Sequence, residues 1–418
     1  MNKIATLGLT AAFAASVTAI GLAQTAKKTI TIAAWAGNDK LIEGVIPGFM
    51  KENPDLEVKV VGGVGYGDYH PGLNNRLQSG NAEDVVSLGG QFVVDYADGN
   101  LLEDLRGAPY NADAKFRRGF VQSQVANATG PKGNFVAVPN DAPPNIMYYR
   151  RDLFAKAGLK IEDVTSSWEN YIEAGKKLKA MGVFISPGAE DVASTIWSTN
   201  VARGEGVYFD KSGKPLVDNA RFVKAFTLAK QVRDLGLDSR IPGWSPEWFA
   251  GFKDGKVATI TIASWFENIL TDQADKDGKG RWGVAMAPEK SVGIGGGAYF
   301  SIPAAGKNKA DAWKLVQYLT VNTKTQAEVF KQSGNFPANL NALKEPIFNE
   351  PSAFFGGQKI RQVYAQAAKL VKPVPSSKNF ALAETIINDA LKQVLEQNKD
   401  VKTALSEAKG LIERRTQR

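Results

Sequence analysis

The chain has 418 residues, 44% hydrophobic and 22% charged, with 51 lysines and arginines against 43 acidic residues and a formal net charge of +8. That apolar share excludes a disordered chain. The lack of cysteine excludes disulfides, thiol chemistry and Cys–zinc sites, and a single histidine, His70, excludes a metal site built from several imidazoles.

Lys3 precedes an uncharged run from Ile4 to Leu22, and Gly21-Leu22-Ala23 offers small residues where a signal peptidase needs them. Thr10, Ser16 and Thr18 interrupt the run and polar residues follow it, so residues 1–23 read as a cleaved export signal rather than a retained anchor. No cysteine follows, which rules out a lipoprotein anchor. The expected location is periplasmic or otherwise extracytoplasmic. The remaining 395 residues are enough for two lobes of ordinary domain size.

Thr29 to Ala34 is a β-rich run, broken at Trp35-Ala36-Gly37-Asn38. Asn38 is placed to cap a helix whose apolar face is Leu41, Ile42, Val45, Ile46 and Phe49, with Pro47 expected to kink or shorten it. Strands follow at Leu56 to Val61 and Asp84 to Leu88, with a helix around Leu73 to Ser79 between them. This strand–helix–strand rhythm predicts an α/β fold with a parallel sheet. Further strands are expected at Val136 to Pro139, Ile146 to Tyr149 and Val257 to Ala263. Helices are expected at Arg151 to Ala157, Trp168 to Met181, Ala220 to Leu235, Ala310 to Leu319, Ala381 to Asn398 and Val401 to Arg414.

The glycine-rich stretches Gly62 to Gly67 and Gly293 to Gly297 lack the dinucleotide spacing, so they read as tight turns and no cofactor is expected. The basic pairs, such as Arg117-Arg118 and Lys176-Lys177, are scattered, and no nucleic-acid partner is expected. Aromatics instead cluster after strands and in loops: Trp35, Tyr66, Tyr69, Trp197, Trp244, Trp248, Trp265 and Tyr299. Ligands of open α/β sheets bind beyond the strand ends. An indole or phenol there offers a flat face to a sugar ring. Asn38, Asp68, Gln91, Asn140, Asp141, Glu267 and Asn268 supply acids and amides suited to vicinal hydroxyls. Trp168 and Trp313 fall within helical patterns and read as packing. A secreted glycoside hydrolase stays open as the alternative, since it needs only two carboxylates across one sugar bond.

An ordered set of segments carries a resemblance. It runs from Ile30–Trp35 through Phe49-Met50-Lys51-Glu52-Asn53-Pro54, Ser79-Gly80-Asn81-Ala82-Glu83-Asp84 and Tyr96-Ala97-Asp98-Gly99-Asn100-Leu101-Leu102. It continues through Met147-Tyr148-Tyr149-Arg150-Arg151-Asp152-Leu153-Phe154, Phe252-Lys253-Asp254-Gly255-Lys256-Val257-Ala258, Trp282-Gly283-Val284-Ala285 and Gly334-Asn335-Phe336-Pro337. The set resembles the family 1 extracellular solute-binding proteins of ABC importers, the sugar-binding, maltose-binding-protein type. The family's usual proline before Asp84 is Glu83 here, and Thr259 stands where Met is common. The resemblance implies a two-lobe periplasmic-binding-protein fold, each lobe a sheet flanked by helices. It also implies a carbohydrate ligand, a transmembrane permease as partner, no catalysis and a monomer.

Expected lobe boundaries are 24–140 plus 264–320 and 141–263 plus 321–418, with crossings near 139–141, 262–265 and 320–323. Matching segments carry over the loop from Trp35 to Asn38, Gln91, Asp141, Trp265 and the loop from Gly297 to Tyr299 as ligand residues. Asp68, Trp197, Trp244 and Glu267 are added from residue type and placement.

Overall fold

The computed structural model describes residues 27–417, apart from 98, 131, 200, 203, 294, 295, 375, 376 and 378, and only the backbone of Gln91 and Val94. The expected signal at 1–23 lies outside the described residues. In chain order the strands are β1 (Lys28–Ala33), β2 (Leu56–Val61), β3 (Val85–Gly89), β4 (Val138–Pro139), β5 (Asn145–Arg150), β6 (Thr259–Ala263), β7 (Trp282–Ala285) and β8 (Ala298–Ser301). They form a five-stranded sheet in the order β2-β1-β3-β8-β4 and a three-stranded sheet in the order β6-β5-β7.

The first sheet grows from the pattern Lys28–Ala33, whose Ile30 and Ile32 are wholly buried. β1 pairs in parallel with β2 and with β3, and the helices α1 (Asn38–Glu52) and α2 (Tyr66–Gln78) make the crossovers. β3 is buried at every residue, as a central strand covered on both faces must be. β8 enters antiparallel between β3 and β4. The parallel pairing expected of the first three strands is thus present, and the second sheet is antiparallel throughout.

Alternation along β5 divides two cores. Ile146 and Tyr148 join the core of the first sheet, while Met147 and Tyr149 point the other way. The second core is roofed by the helices Trp168–Lys179, Ala189–Ser198, Ala220–Asp234, Phe380–Gln397 and Val401–Thr416.

Three local expectations change. Helix α1 runs unbroken through Pro47, because Pro47 and Glu43 are both exposed and water can take the carbonyl that proline leaves unpaired. Asn38 does not cap it: Gly37, at φ 94°, precedes the helix. The Asp39 carboxylate instead accepts the amides of Gly37 at 2.9 Å and Gly63 at 2.7 Å. Helix α2 begins at Tyr66, so Tyr66, Asp68 and Tyr69 stand on its first turn rather than in a glycine loop.

The lobe boundaries also move. β7 pairs with β5, so the chain stays with the second sheet past 262–265 and returns to the first between β7 and β8. The helix Thr323–Ser333 packs on α1 in the first half, so no crossing occurs at 320–323. The chain stays on the first half past Gly334, where Val121 donates to the Ala338 carbonyl, Leu340 donates to the Gly119 carbonyl and Phe348 packs on Phe330. It crosses between Phe348 and Ile360, and the helix Ile360–Leu370 packs on β5 and β7. These pairings join residues far apart in sequence, and no local pattern carries them.

Trp168 is 2% exposed, inside the second core and edge-on to Tyr171 at 5.5 Å. Trp168→Ala should destabilise the fold by ~3–5 kcal/mol while sparing ligand affinity in the folded fraction. Denaturant melts beside calorimetry would check this; a weakened affinity at full folding would contradict it.

Candidate ligand-binding site

A cavity of about 560 Å³ opens between the two halves. The first half contributes Tyr66 from α2, Gly90 at the end of β3, and Ser123, Gln124 and Asn127 from the short helix Gln122–Asn127. The second half contributes Asn145 from β5, Thr261 from β6, Thr195 and Trp197 from the helix Ala189–Ser198, and Tyr208. Glu384 and Asn388 of the helix Phe380–Gln397 close one side. The wall is mostly amide, hydroxyl and aromatic, a set that binds neutral polar groups through paired donors and acceptors.

The segment between β4 and β5 forms the floor near the hinge. The Asp141 carboxylate Oδ1 accepts the Ala298 amide at 2.6 Å, and Gln124 Nε2 donates to the Asp141 carbonyl at 3.1 Å. Burial pushes the Asp141 carboxyl up to about 7, against the lowering effect of the Ala298 amide. Its charge reaches Tyr66, whose phenol is pushed up to about 12 mainly by burial. Gly297 sits at φ +134°, and a side chain there would run into the Gln124 amide. The Gly297 carbonyl accepts the Gly90 amide at 2.9 Å, tying the loop before β8 to the cavity wall.

A second hollow of about 730 Å³ lies alongside, lined by Glu190, Asp191, Arg233, Arg240, Trp244 and Trp248, and it shares Thr261 with the first. Trp244 is 54% exposed, with its ring 6.0 Å from Trp265 and nearly parallel to it. Trp244 also holds φ +67°, a costly conformation for a bulky residue. The next residue, Ser245, caps the following helix by accepting the Trp248 amide at 3.2 Å.

The expected ligand residues separate into groups. Trp197 lines the cavity by one edge while its ring packs on Phe222, and Trp244 lines the second hollow beside Trp265. Trp35 stands behind the wall, edge-on to Tyr66 at 5.2 Å. The Gln91 backbone follows cavity-lining Gly90, and Asp141, Gly297 and the wholly buried Tyr299 form the hinge side.

Three others lie elsewhere. Asn38 is buried and donates to Ser87 Oγ at 2.8 Å, so its amide is engaged inside the first half. Asp68 is exposed on the first turn of α2, where a negative charge suits the helix dipole. Glu267 is buried and bound to the Arg361 guanidinium at 2.8 Å, with burial raising its carboxyl above the usual range. Ser123, Gln124, Asn127, Asn145 and Thr261 were not anticipated. The run from Gln122 to Asn127 is rich in amides, but six residues show no helical period.

Two α/β halves joined by short crossings around a polar, aromatic-walled cavity define a hinged binding protein. The family model of the bacterial extracellular solute-binding proteins matches residues 45–356, and the chain belongs to that family. The family is extracellular, so the chain's place of work is outside the cytoplasm. The chain is similar to an arabinooligosaccharide-binding protein of Bacillus subtilis (strain 168), 23% identical over 393 residues and 87% of each chain. It is also similar to a lactose-binding protein of Rhizobium radiobacter, 23% identical over 80% of this chain and 81% of the other. The solved sugar-binding protein MalE of Xanthomonas citri superposes with a TM-score of 0.79 at 18% identity, over 92% of this chain and 96% of that one, and supports the two-lobe fold.

The raised Asp141 pKa has a sign. The folded chain holds the proton more tightly than the unfolded one, so this contribution is full below the ordinary value of 3.8 and is lost as pH rises to about 7. Asp141→Asn keeps an acceptor for the Ala298 amide and removes the titration. Melting temperatures of the two proteins should therefore differ in the variant's favour at pH 8 relative to pH 4. Each pH unit climbed between those two pKa values adds at most ~1.4 kcal/mol to that advantage. A difference that does not change with pH would refute the assignment.

Proposed function

We propose that the chain is the solute-binding component of an ABC sugar importer, holding a neutral mono- or oligosaccharide in the interlobe cavity and presenting it to a membrane permease without turnover. The observation that carries this reading is the cavity wall: amides, hydroxyls and ring edges supplied by both halves, with Lys290, Lys372 and Glu384 as its charged lining residues. A neutral ligand touching both halves favours the closed arrangement because it binds that arrangement better. The sugar ligands named for the two curated relatives point the same way.

Among the described residues lining the first cavity Glu384 is the one carboxylate, and in the second hollow Glu190 is held by Arg233, whereas glycoside hydrolysis uses two facing carboxyls. This favours binding over hydrolysis. Export by cleavage after Ala23 and a monomeric state complete the reading. The lobes follow the sheets: one carries β1 to β4, β8 and the helix Thr323–Ser333, the other β5 to β7 and the C-terminal helices. We assign stacking on sugar to Trp244 and Trp265, and polar contacts to Gln124, Asn127 and Asn145.

Calorimetry against a panel of neutral mono- and oligosaccharides should show saturable binding, with no product on chromatography afterwards. Trp265→Ala should weaken it by ~1–3 kcal/mol, the range for a base on an aromatic platform. No binding across the panel, or sugar cleavage, would overturn the reading. An unchanged affinity in a folded Trp265→Ala protein would return that ring to the core.

A further inference from the structure

The single histidine of the chain stands directly behind the cavity wall. His70 is 1% exposed on α2, and both ring nitrogens meet backbone groups. The Gly89 amide reaches Nε2 at 3.0 Å, and Nδ1 lies 3.1 Å from the Tyr66 carbonyl. An amide can only donate and a carbonyl can only accept. The pair therefore defines one neutral tautomer, with the proton on Nδ1 and the lone pair on Nε2.

Those two backbone groups belong to the cavity. Tyr66 lines it, and Gly89 precedes Gly90, which also lines it. The Tyr66 hydroxyl lies so close over Gly89 that a side chain there would collide with it. Gly90 in turn donates to the Gly297 carbonyl. The imidazole is clamped face to face on Phe92 at 3.8 Å and lies edge-on to Tyr66 at 4.7 Å and to Tyr69 at 5.0 Å, with Trp35 at 5.7 Å. An imidazolium in this box has no lone pair for the Gly89 amide and opposes N–H to N–H. Either the ring or Gly89 must move, and with it Tyr66 and Gly90.

We propose that His70 is a positioning residue that holds the Tyr66–Gly90 wall ready for ligand only while its ring is neutral, so that protonating His70 and binding sugar oppose each other. This rests on the sugar-binding reading above. Burial lowers the His70 pKa from its ordinary value, and the bond to the Tyr66 carbonyl resists that shift. The charged groups nearest this box act on its other members. Asp141 acts on Tyr66, and Arg76 and Glu83 act on Tyr69. Asp95 of the helix Gly90–Ala97 acts on Tyr96, and Asp68 stands exposed on α2.

Burial pushes the Asp141 carboxyl up to about 7, so a pH profile of affinity would mix its titration with that of His70. One histidine per chain removes the ambiguity, because its Cε1–H proton resonance is unique in the spectrum. The resonance is titrated in the full chain, with and without a saturating sugar first shown to bind by calorimetry. Binding energy that favours neutral His70 must lower its midpoint in the complex by the same factor that acid weakens binding. Between the free-state midpoint and the lower midpoint of the complex, affinity should fall by up to about tenfold per pH unit. His70→Gln supplies an acceptor and a donor but no titration, and should lose the part of the acid weakening that tracks His70, whatever its affinity at neutral pH. Circular dichroism at each pH keeps the comparison within the folded range. A midpoint unmoved by bound sugar, or a ring that does not titrate before the chain unfolds, overturns the proposal and leaves the sugar site standing. Absence of any binding sugar overturns the parent reading instead, at the calorimetry step.

Discussion

The buried carboxyl of Asp141 and the Ala298 amide, 2.6 Å apart, join the segment that leaves the first sheet to the segment that returns to it. The neighbouring groups extend the tie. The Asn140 amide donates to the Ala298 carbonyl, the Ala142 amide to the Phe336 carbonyl, and Ala338 back to Asn140. The Asn140 side chain accepts from Gln326 Nε2 at 2.8 Å, on the helix that packs against α1. The first two crossings and the segment from Phe336 to Ala338 therefore meet in one hydrogen-bonded knot. A carboxyl buried there is costly, and its proton and the Ala298 amide together offset that cost. Gln124 reaches the same knot through the Asp141 carbonyl, so the amide-bearing wall of the cavity is positioned by the hinge itself.

A knot of short crossings limits what can move. Each half keeps its own sheet, while one face of β5 shares the core of the first sheet, and the chain passes between the halves at β4–β5, at β7–β8 and between Phe348 and Ile360. The left-handed φ of 73° at Gly334 lets the chain turn there without a Cβ penalty. It also admits close contact, since a side chain would press on the Trp265 backbone at 3.2 Å. Trp265 therefore sits between the turn at Gly334 and Trp244 of the aromatic hollow.

How much of this was legible depends on how far apart the interacting residues are. Lys28–Ala33 and Leu56–Val61 announce themselves by alternation, and their pairing follows from one helical crossover. β7 has four residues and no distinguishing pattern; it belongs to the second sheet because Gly283 and Trp282 pair with Tyr149 and Arg150, more than a hundred positions earlier. The same distance effect governs the site. Asn38 and Glu267 have the chemistry of ligand residues, but Ser87 and Arg361 engage them in the fold. Gln124 and Asn145 look like ordinary loop amides until the two halves are assembled around them. Trp265 follows β6, as its place in the sequence suggested, but its neighbour Trp244 comes from the loop before the helix Pro246–Lys253, a pairing no local pattern carries.

The electrostatics of the second hollow bear on what kind of ligand the cleft can hold. Arg233 lies between Glu190 and Asp238, each at 2.8 Å, and so brings little uncompensated charge to the groove. Burial, with Glu190 and Asp238 nearby, pushes the Asp191 carboxyl up to about 7, which leaves it largely uncharged in mildly acid surroundings. An anion entering this space would have to compete with carboxylates already holding the guanidinium. A cation would face carboxylates already paired or protonated. Arg240 lies 3.8 Å from Asp238 and donates to the Arg233 carbonyl, and Trp244, Trp248 and Thr261 add ring surface and a hydroxyl that discriminate by shape and hydrogen-bond geometry. The two hollows meet at Thr261, so under the proposed reading one sugar chain runs from the amide wall of the first to the rings of the second.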